Sequence, residues 1–593
     1  VRDRLRATAL LITTAFHADR CTALLVLTLA PAVGACGVLT ALAVGQATDA
    51  AVRQDAQAAL SAAALLVTSV VITFSAGAYV STLRIRLQQH VGLLLDHRLM
   101  TLAAGVPGLA HFEHPAYLDR MDLLRAGRAQ LSGAFGALVE NLRAVFELLA
   151  TVVVLASVHP ALLVLPVFAL PALFAAHVGD RLVGRAEWDT AGQDRLRRTL
   201  LDLACSPVAA REVRLYRLAG ELTRRHDGLR HDVDRVRDRA DTWAGVWSSA
   251  GWLIFGAAYL GGVLVSVLAV AQGRGSPGDV VLTLVLGGQL VGTVSATVAL
   301  GGWLQQALRA SGHLLWLSDH AAAHVREGGA APPPAAGADL VLDGVSFTYP
   351  GTGRPVLREV CLRVPAGSTV AIVGENGAGK TTLARLIAGL YEPDAGTISY
   401  GGADLAELDV VAWRQGLTAC LQDFQRLELP LRTGVGVGDL PRADDARAVS
   451  AALEAGGGGD LPGRLPYGMD TPLGAVLPGG VELSAGQWQK VAMGRAMMRR
   501  SPRVLILDEP TASMDAASEH ALFARYAAAA RAAQDPPITV LVSHRFATVR
   551  MADLIVVLDG GRVLEAGGHA ELLARGGVYC ELHALGLRGY EGS

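Results

Sequence analysis

The first 320 residues alternate between long apolar stretches and stretches rich in arginine. Residues 21–44 read CTALLVLTLAPAVGACGVLTALAV, 24 positions without a charge. At 1.5 Å per helical residue that is enough to cross a hydrocarbon core of about 30 Å. The apolar core of a cleaved signal peptide would be only about 7–15 residues long, so this stretch predicts a membrane helix. Further apolar runs at 58–82, 140–158, 161–179, 245–272 and 280–304 bring the predicted spans to six.

The polar connections differ in length. Those at 45–57, 159–160 and 273–279 are short and hold only two arginines, Arg53 and Arg274, whereas those at 83–139 and 180–244 are long. Fourteen arginines lie between Arg181 and Arg239 alone, and the N-terminus adds Arg2, Arg4, Arg6 and Arg20. Basic residues are retained on the cytoplasmic side, which places the N-terminus and both long loops there. Within those loops LRIRLQQHVGLLLDHRLM and AGQDRLRRTLLDLACSPVAAREVRLYRLAGELTRR carry apolar residues three and four apart, the helical period. Spans that continue inward as helices of ~25 residues would project about 38 Å as stalks.

Residues 321–338 are rich in Pro, Ala and Gly and read as a linker. Beyond them the pattern changes to short β-type runs bounded by Gly, Pro or Asp: LVLDGVSFTY, TVAIVGENG, RVLILDEP, ITVLVSH and LIVVLDGGRVLEAG. Helical stretches alternate with several of them, which predicts an α/β domain. The expected organisation is an all-α membrane domain over 1–320, a linker over 321–339, an α/β domain over 340–585 and a tail over 586–593. With the first span starting near residue 21, no peptidase domain is expected in front of it, and no cleavage of leader peptides by this chain.

Composition agrees with a lipid-solvated half. Hydrophobic residues make up 51% of the chain, charged residues 18%, and mean hydropathy is +0.37. The net charge of −2 implies no nucleic-acid partner. Cys21, Cys36, Cys205, Cys361, Cys420 and Cys580 are widely spaced, without a C-x-x-C pair, and read as free thiols. Only two of the 52 basic residues are lysines, Lys380 and Lys490. A lysine kept against that bias marks a place where a compact ammonium is needed.

Lys380 lies in Gly374-Glu-Asn376-Gly377-Ala-Gly379-Lys380-Thr381, which fits G-x-x-x-x-G-K-[ST] between a strand and a helix. Such glycines let backbone N–H groups wrap phosphates, the lysine reaches β/γ oxygens, and Thr381 can ligate Mg²⁺. Downstream, RVLILDEP is a strand whose end presents Asp508 and Glu509. Ligands of open α/β sheets bind at that edge. Asp508 suits Mg²⁺, directly or through water, and Glu509 suits activation of an attacking water. Between them Ser484-Ala485-Gly486-Gln487 opens a helix, either as a second anion site or as an ordinary cap. Glu147, inside AVFELLATVVVL, is either an intramembrane functional acid or part of a cytoplasmic extension. Trp243, Trp247 and Trp252 read as anchors at the membrane interface.

Taken in order, these features resemble an ABC exporter half: six membrane helices followed by an ATP-binding cassette. LSAGQ resembles the LSGGQ signature with Ala485 for its first glycine, a change expected to tune activity rather than remove it. The resemblance implies that Asn376, Thr382, Ser484, Gly486 and Gln487 contact ATP and that Tyr349, in FTYPG, stacks on adenine. It further implies that Gln422, in LQDF, senses Mg²⁺, that Asp515, in TASMD, belongs to the D-loop, and that His544, in VSHR, lies near the γ-phosphate. HFEHPAYLDRM and REVRLYRLAGEL resemble the two loop segments that dock on cassettes.

The implied protein is an ATP hydrolase in the bacterial inner membrane, cassette on the cytoplasmic side, working as a dimer with an identical or a sister chain. Its cofactors are ATP and Mg²⁺. LQDFQRLELPLR and GGVELSAGQWQKVAMGRAMMR resemble cassettes of exporters for small modified peptides, such as lantibiotics, and of multidrug-type relatives. The expected cargo is therefore a small amphipathic peptide or drug-like compound. Lipid or siderophore transport, and a structural ATP-binding partner half, are the alternatives. A soluble ABC ATPase of DNA repair is excluded by the six spans.

Overall fold

The computed structural model of the chain describes residues 2–207, 209–327, 329–510 and 536–591. They fall into two compact units, one of residues 1–101 and 121–316, the other of residues 102–120 and 317–593.

The first unit is helical. α1 (Arg2–Ala18) precedes α2 (Arg20–Val52) and α3 (Ala56–Gly105). A 3₁₀ turn at Ala110–Glu113 and α4 (Pro115–Ala126) lead to α5 (Arg128–Val158). The chain then runs through a 3₁₀ segment, Pro160–Ala169, into α6 (Leu170–Cys205), and on to α7 (Ala210–Leu215), α8 (Ala219–Ala271) and α9 (Pro277–Glu327). Among the described residues, six helices are long and apolar enough to cross a membrane: Arg20–Val52, Ala56–Gly105, Arg128–Val158, Pro160–Cys205, Ala219–Ala271 and Pro277–His324. Each contains one of the apolar runs.

Local chemistry sets the helix ends. The Asp19 carboxylate accepts from the Thr22 amide at 3.0 Å and so caps α2. The Asp49 carboxylate accepts from Ser276 Oγ at 2.7 Å and from the Gly278 amide at 2.6 Å, capping α9 from a helix 229 residues away in sequence. The 3₁₀ start of the fourth span contains Pro166 and ends just before Pro171; each proline removes an N–H that an α-helix would use. Leu60, Phe74 and Leu253 are more than two-thirds exposed. Water would penalise each such side chain by about 1.5–3 kcal/mol relative to burial, and lipid removes that cost. Glu147 does not stand alone: it pairs with Arg143 at 2.5 Å and accepts from the Thr293 hydroxyl at 3.1 Å. Arg143 also bonds Glu140 at 2.6 Å, which Arg84 of α3 reaches at 3.1 Å. Trp243 and Trp247 are exposed, whereas Trp252 packs edge-on against Phe255.

Two boundaries differ from expectation. α9 continues to Glu327, seven residues into the predicted linker, because Ala321–Glu327 contains good helix formers and the first glycines follow it. The last described helix, Val578–Glu591, likewise continues into the expected tail, as far as Glu591.

The second unit holds the α/β domain. β1 (Leu340–Thr348) and β2 (Pro355–Val364) precede β3 (Thr369–Val373) and α10 (Lys380–Ile387). β4 (Ala395–Tyr400), β5 (Ala403–Asp404), α11 (Val410–Gln415) and β6 (Leu417–Cys420) follow. A helical section contains α12 (Leu431–Gly436), α13 (Ala446–Ala455), α14 (Leu461–Arg464) and α15 (Ala485–Ala496). β7 (Val504–Asp508), β8 (Ile538–Val542), β9 (Leu554–Asp559) and β10 (Arg562–Gly567) complete the strands described. One sheet runs β2-β1-β4-β5 with antiparallel pairs; the other runs β10-β9-β3-β8-β7-β6, parallel except for β9–β10. Every residue of β7 is buried, as expected for a parallel strand covered on both faces. Within this unit, residues 102–120 meet the α/β domain through a bond from the Leu109 amide to the Leu390 carbonyl, 2.9 Å, and one from the Tyr391 hydroxyl to Glu113, 2.7 Å.

All six cysteines are free. Cys420 is buried, and burial pushes its thiol up to about 12, whereas Cys361 and Cys205 are exposed. Since the thiolate is the reactive form, a maleimide is expected to label Cys361 and Cys205 in the folded protein and Cys420 only after denaturation. Mass spectrometry of labelled peptides checks this; equal labelling of Cys420 in the native protein would contradict its burial.

Candidate functional site

Four neighbouring strands of the parallel sheet, β3, β8, β7 and β6, deliver the sequence-predicted residues to one edge. The Gly374–Lys380 loop follows β3, His544 follows β8, Asp508 and Glu509 end β7, and Gln422 follows β6. Parallel strands carry their C-terminal ends on the same side, so residues more than a hundred positions apart converge.

The loop needs its glycines. Gly374, Gly377 and Gly379 have φ of +151°, +85° and +100°. A Cβ on Gly374 would stand 2.1 Å from the Leu558 carbonyl oxygen. Asn376 is exposed on the loop's rim. Lys380 is 8% exposed, and its ammonium donates to the Gly374 and Glu375 carbonyls at 2.9 and 2.8 Å. Burial lowers its pKa, opposed by the charges of Glu509 and Asp508. A buried cation held by two backbone carbonyls beside two carboxylates is the arrangement a polyphosphate would complete.

Asp508 is fully buried, and neither carboxylate oxygen has a hydrogen-bond partner among the described residues. Burial raises its pKa, as does the charge of Glu509; the nearby Thr381 hydroxyl works in the opposite sense without reaching hydrogen-bond geometry. A carboxylate left bare in a protein interior carries a desolvation cost of several kcal/mol. Mg²⁺ fits this orphaned carboxylate and the hydroxyl of Thr381 beside it.

Glu509 has φ of +45°, left-handed for a residue with a Cβ. Such a backbone costs on the order of 1–3 kcal/mol and is kept only where its surroundings fix it. Its amide donates to the Val542 carbonyl at 3.0 Å, and its carbonyl accepts from Gln489 Nε2 at 3.3 Å. One carboxylate oxygen accepts from Gln422 Nε2 at 3.0 Å; the other lies 3.4 Å from His544 Nδ1. The base candidate, its amide neighbour and the histidine thus form one cluster.

Tyr349 sits differently from a free stacking platform. Its hydroxyl is 3.0 Å from that of Thr382 and accepts from Arg385 at 3.3 Å, and its ring stands edge-on to Phe347 and Tyr391. Arg385 also pairs with Asp423, next to Gln422, at 2.9 Å.

The Ser484 hydroxyl accepts from the Gln487 amide at 3.3 Å while Gln487 Oε1 accepts from the Ser484 amide at 2.9 Å. This is a capping box. The cap reading therefore holds, and it leaves the hydroxyl proton of Ser484 available to a further acceptor. Ser484 and Ala485 are exposed and Gly486 partly so. Lys490 pairs with Asp460 at 3.5 Å. Asp515 lies outside the described residues. Gln489 was not among the residues singled out from sequence; the signal available was a polar side chain among the buried positions Trp488, Val491 and Ala492 of α15.

Residues 357–512 match the sequence profile of the family described as ABC transporter. The ATP-dependent lipid A-core flippase of Thiobacillus denitrificans is 37% identical over 289 residues, 48% of this chain and 48% of that protein. That of Aromatoleum aromaticum is 40% identical over 247 residues, 41% and 39% of the two chains. The cyclolysin secretion/processing ATP-binding protein CyaB of Bordetella pertussis is 39% identical over 252 residues, 42% of this chain and 34% of that protein. The chain spans about half the length, or less, of these curated relatives. Over 98% of its length it has the fold of a bacterial Atm1-family ABC exporter solved with ATP bound, of which 98% is covered: the TM-score is 0.76 at 22% identity.

Proposed function

We propose that this chain, an ABC exporter half by its fold and its ATPase cassette, uses ATP to move an amphipathic, lipid-class cargo outward across the bacterial inner membrane. The observation that carries the reading is the convergence of Lys380, Asp508, Glu509, His544 and Gln422 at one sheet edge, in a chain with six membrane-length helices among its described residues. The loop amides and Lys380 hold the β- and γ-phosphates, and Tyr349, anchored to Thr382, packs on adenine. Asp508, Thr381 and Gln422 would hold Mg²⁺, which neutralises phosphate charge when bound. Glu509 orients the attacking water and takes its proton, and His544 stabilises the γ-phosphate oxygens.

Lys380 and Ser484 each suit a phosphate, yet they belong to different parts of the cassette, the loop after β3 and the start of α15. We place them on the same ATP only in a dimer with cassettes head to tail, so that each site combines the loop of one chain with the LSAGQ helix of the other. Asp515 would belong to the same interface. Leu215 and Tyr216, 74% and 66% exposed at the end of α7, give the second loop segment an apolar tip for a partner cassette.

The cargo expected from the cassette segments was a small modified peptide or drug. The lipid alternative has better support, since relatives of this chain are named lipid A-core flippases. Peptide export remains the second reading, favoured by the relative named for cyclolysin secretion. Phosphate release by the purified chain in vesicles separates them. Lipid cargo is expected to raise turnover several-fold above vesicles of plain phosphatidylcholine, and a lanthionine peptide to leave it unchanged. Stimulation by the peptide alone would overturn the lipid assignment.

A further inference from the structure

α15 meets the catalytic edge at a second point, five residues past Ser484. Gln489 is 5% exposed, and its Nε2 donates to the Glu509 carbonyl at 3.3 Å. That carbonyl precedes Pro510, whose nitrogen offers no hydrogen to anchor the peptide from its other side. The Glu509 amide is tied to β8 through Val542, 3.0 Å away. The strained residue, φ +45°, is therefore gripped by a strand at its amide and by α15 at its carbonyl. Gln489 reaches the backbone of Glu509, not its carboxylate, so it acts through the orientation of the base.

Ser484 caps this same helix, whose rise over five residues is about 7.5 Å. On the shared-site reading, on which this inference rests, Ser484 and Gly486 meet the ATP held by the partner's loop. Gln489 meets the Glu509 that serves this chain's own ATP. On that reading, one helix of 12 residues reaches two ATP sites.

We propose that Gln489 is a positioning residue that transmits the seating of α15 on one ATP to the Glu509 backbone of the other, and so makes hydrolysis at the two sites interdependent. Without its amide, the glutamate keeps its strand contact but loses the contact that reports the partner's nucleotide. A displacement of about 1 Å in a reacting group costs up to a hundredfold in rate, so a lost bond to its backbone has an effect of that order.

The test uses the full chain in lipid, with Gln489→Met, which keeps length and apolar packing but has no donor, and Gln489→Asn, which keeps the amide one methylene short. Phosphate release is measured against ATP concentration, beside ATP affinity in a Glu509→Gln background and melting temperature. For Gln489→Met the expected result is a kcat lowered on the order of tenfold or more. Its Hill coefficient should fall from the wild-type value to 1, with KM, ATP affinity and melting temperature unchanged. Gln489→Asn is expected between the two. If Gln489→Met does not fold, Gln489→Asn is read by the same criteria. Wild-type kcat and Hill coefficient in the substituted chain would overturn the proposal, as would a wild type that hydrolyses ATP with a Hill coefficient of 1. A parallel loss of melting temperature and ATP affinity would reduce Gln489 to a structural contact. A wild type that hydrolyses no ATP would overturn the functional reading and this inference with it.

Discussion

A Glu509→Gln chain is expected to bind ATP and to release phosphate ~10²–10⁴-fold more slowly than wild type. The amide has the shape of the carboxylate but cannot take a proton from water. The rest of the cluster stays in place: Gln422 within 3.0 Å and His544 within 3.4 Å of the carboxylate oxygens, Gln489 on the backbone carbonyl. Lys380→Ala is expected to behave differently. It removes the ammonium that lies between the Gly374 and Glu375 carbonyls and balances Asp508 and Glu509, so it lowers ATP affinity as well as turnover. Nucleotide binding and phosphate release, measured on the same preparations, separate the two outcomes. Turnover near wild type in Glu509→Gln would remove this residue from the chemistry.

The second large effect is expected from mixing. A Lys380→Ala chain and a Ser484→Arg chain, co-expressed with separable tags, should form a mixed dimer that hydrolyses ATP at a substantial fraction of the wild-type rate. Each pure mutant dimer should be nearly inactive. With head-to-tail cassettes both lesions of the mixed dimer fall on one composite site and the other site is intact; in each pure mutant both sites are damaged. In a proposed two-fold dimer of identical chains, mixing puts the loop lesion and the helix lesion on different subunits. Arginine at position 484 removes the capping hydroxyl and puts a long cationic side chain at the helix start. A mixed dimer no faster than either pure mutant would contradict independent shared sites, and turnover by a strictly monomeric preparation would contradict sharing altogether.

The membrane half was legible because lipid demands length: a span needs about 20 apolar positions, and each of six runs supplies them. What the runs did not give were helix ends. α3 runs unbroken to Gly105 and α8 begins at Ala219, far outside their apolar windows, because no proline interrupts either helix. The start of the fourth span is 3₁₀ because prolines at 160, 166 and 171 thin out its donors. In the cassette, Gly374–Thr381 and Asp508–Glu509 could be read directly, since each pairs a recognisable chemistry with a strand end. Contacts made across the chain could not. Gln489 reads as one more polar residue of a helix, and nothing in the pattern joins Tyr391 to Glu113, 278 positions away. Ser484 left two readings open by spacing; the reciprocal bonds with Gln487 establish the cap, and a phosphate contact by its hydroxyl is part of the proposal.

Outward movement of cargo driven by ATP is measured by following a fluorescent lipid in sealed inverted vesicles from cells that express the chain. With ATP and Mg²⁺ outside, the lipid should pass to the lumenal leaflet and become protected from a membrane-impermeant quencher. Glu509→Gln vesicles, which keep their nucleotide, should leave it exposed. Protection of equal rate and extent without ATP, or ATP-dependent uptake by right-side-out cells that requires this chain, would contradict the account.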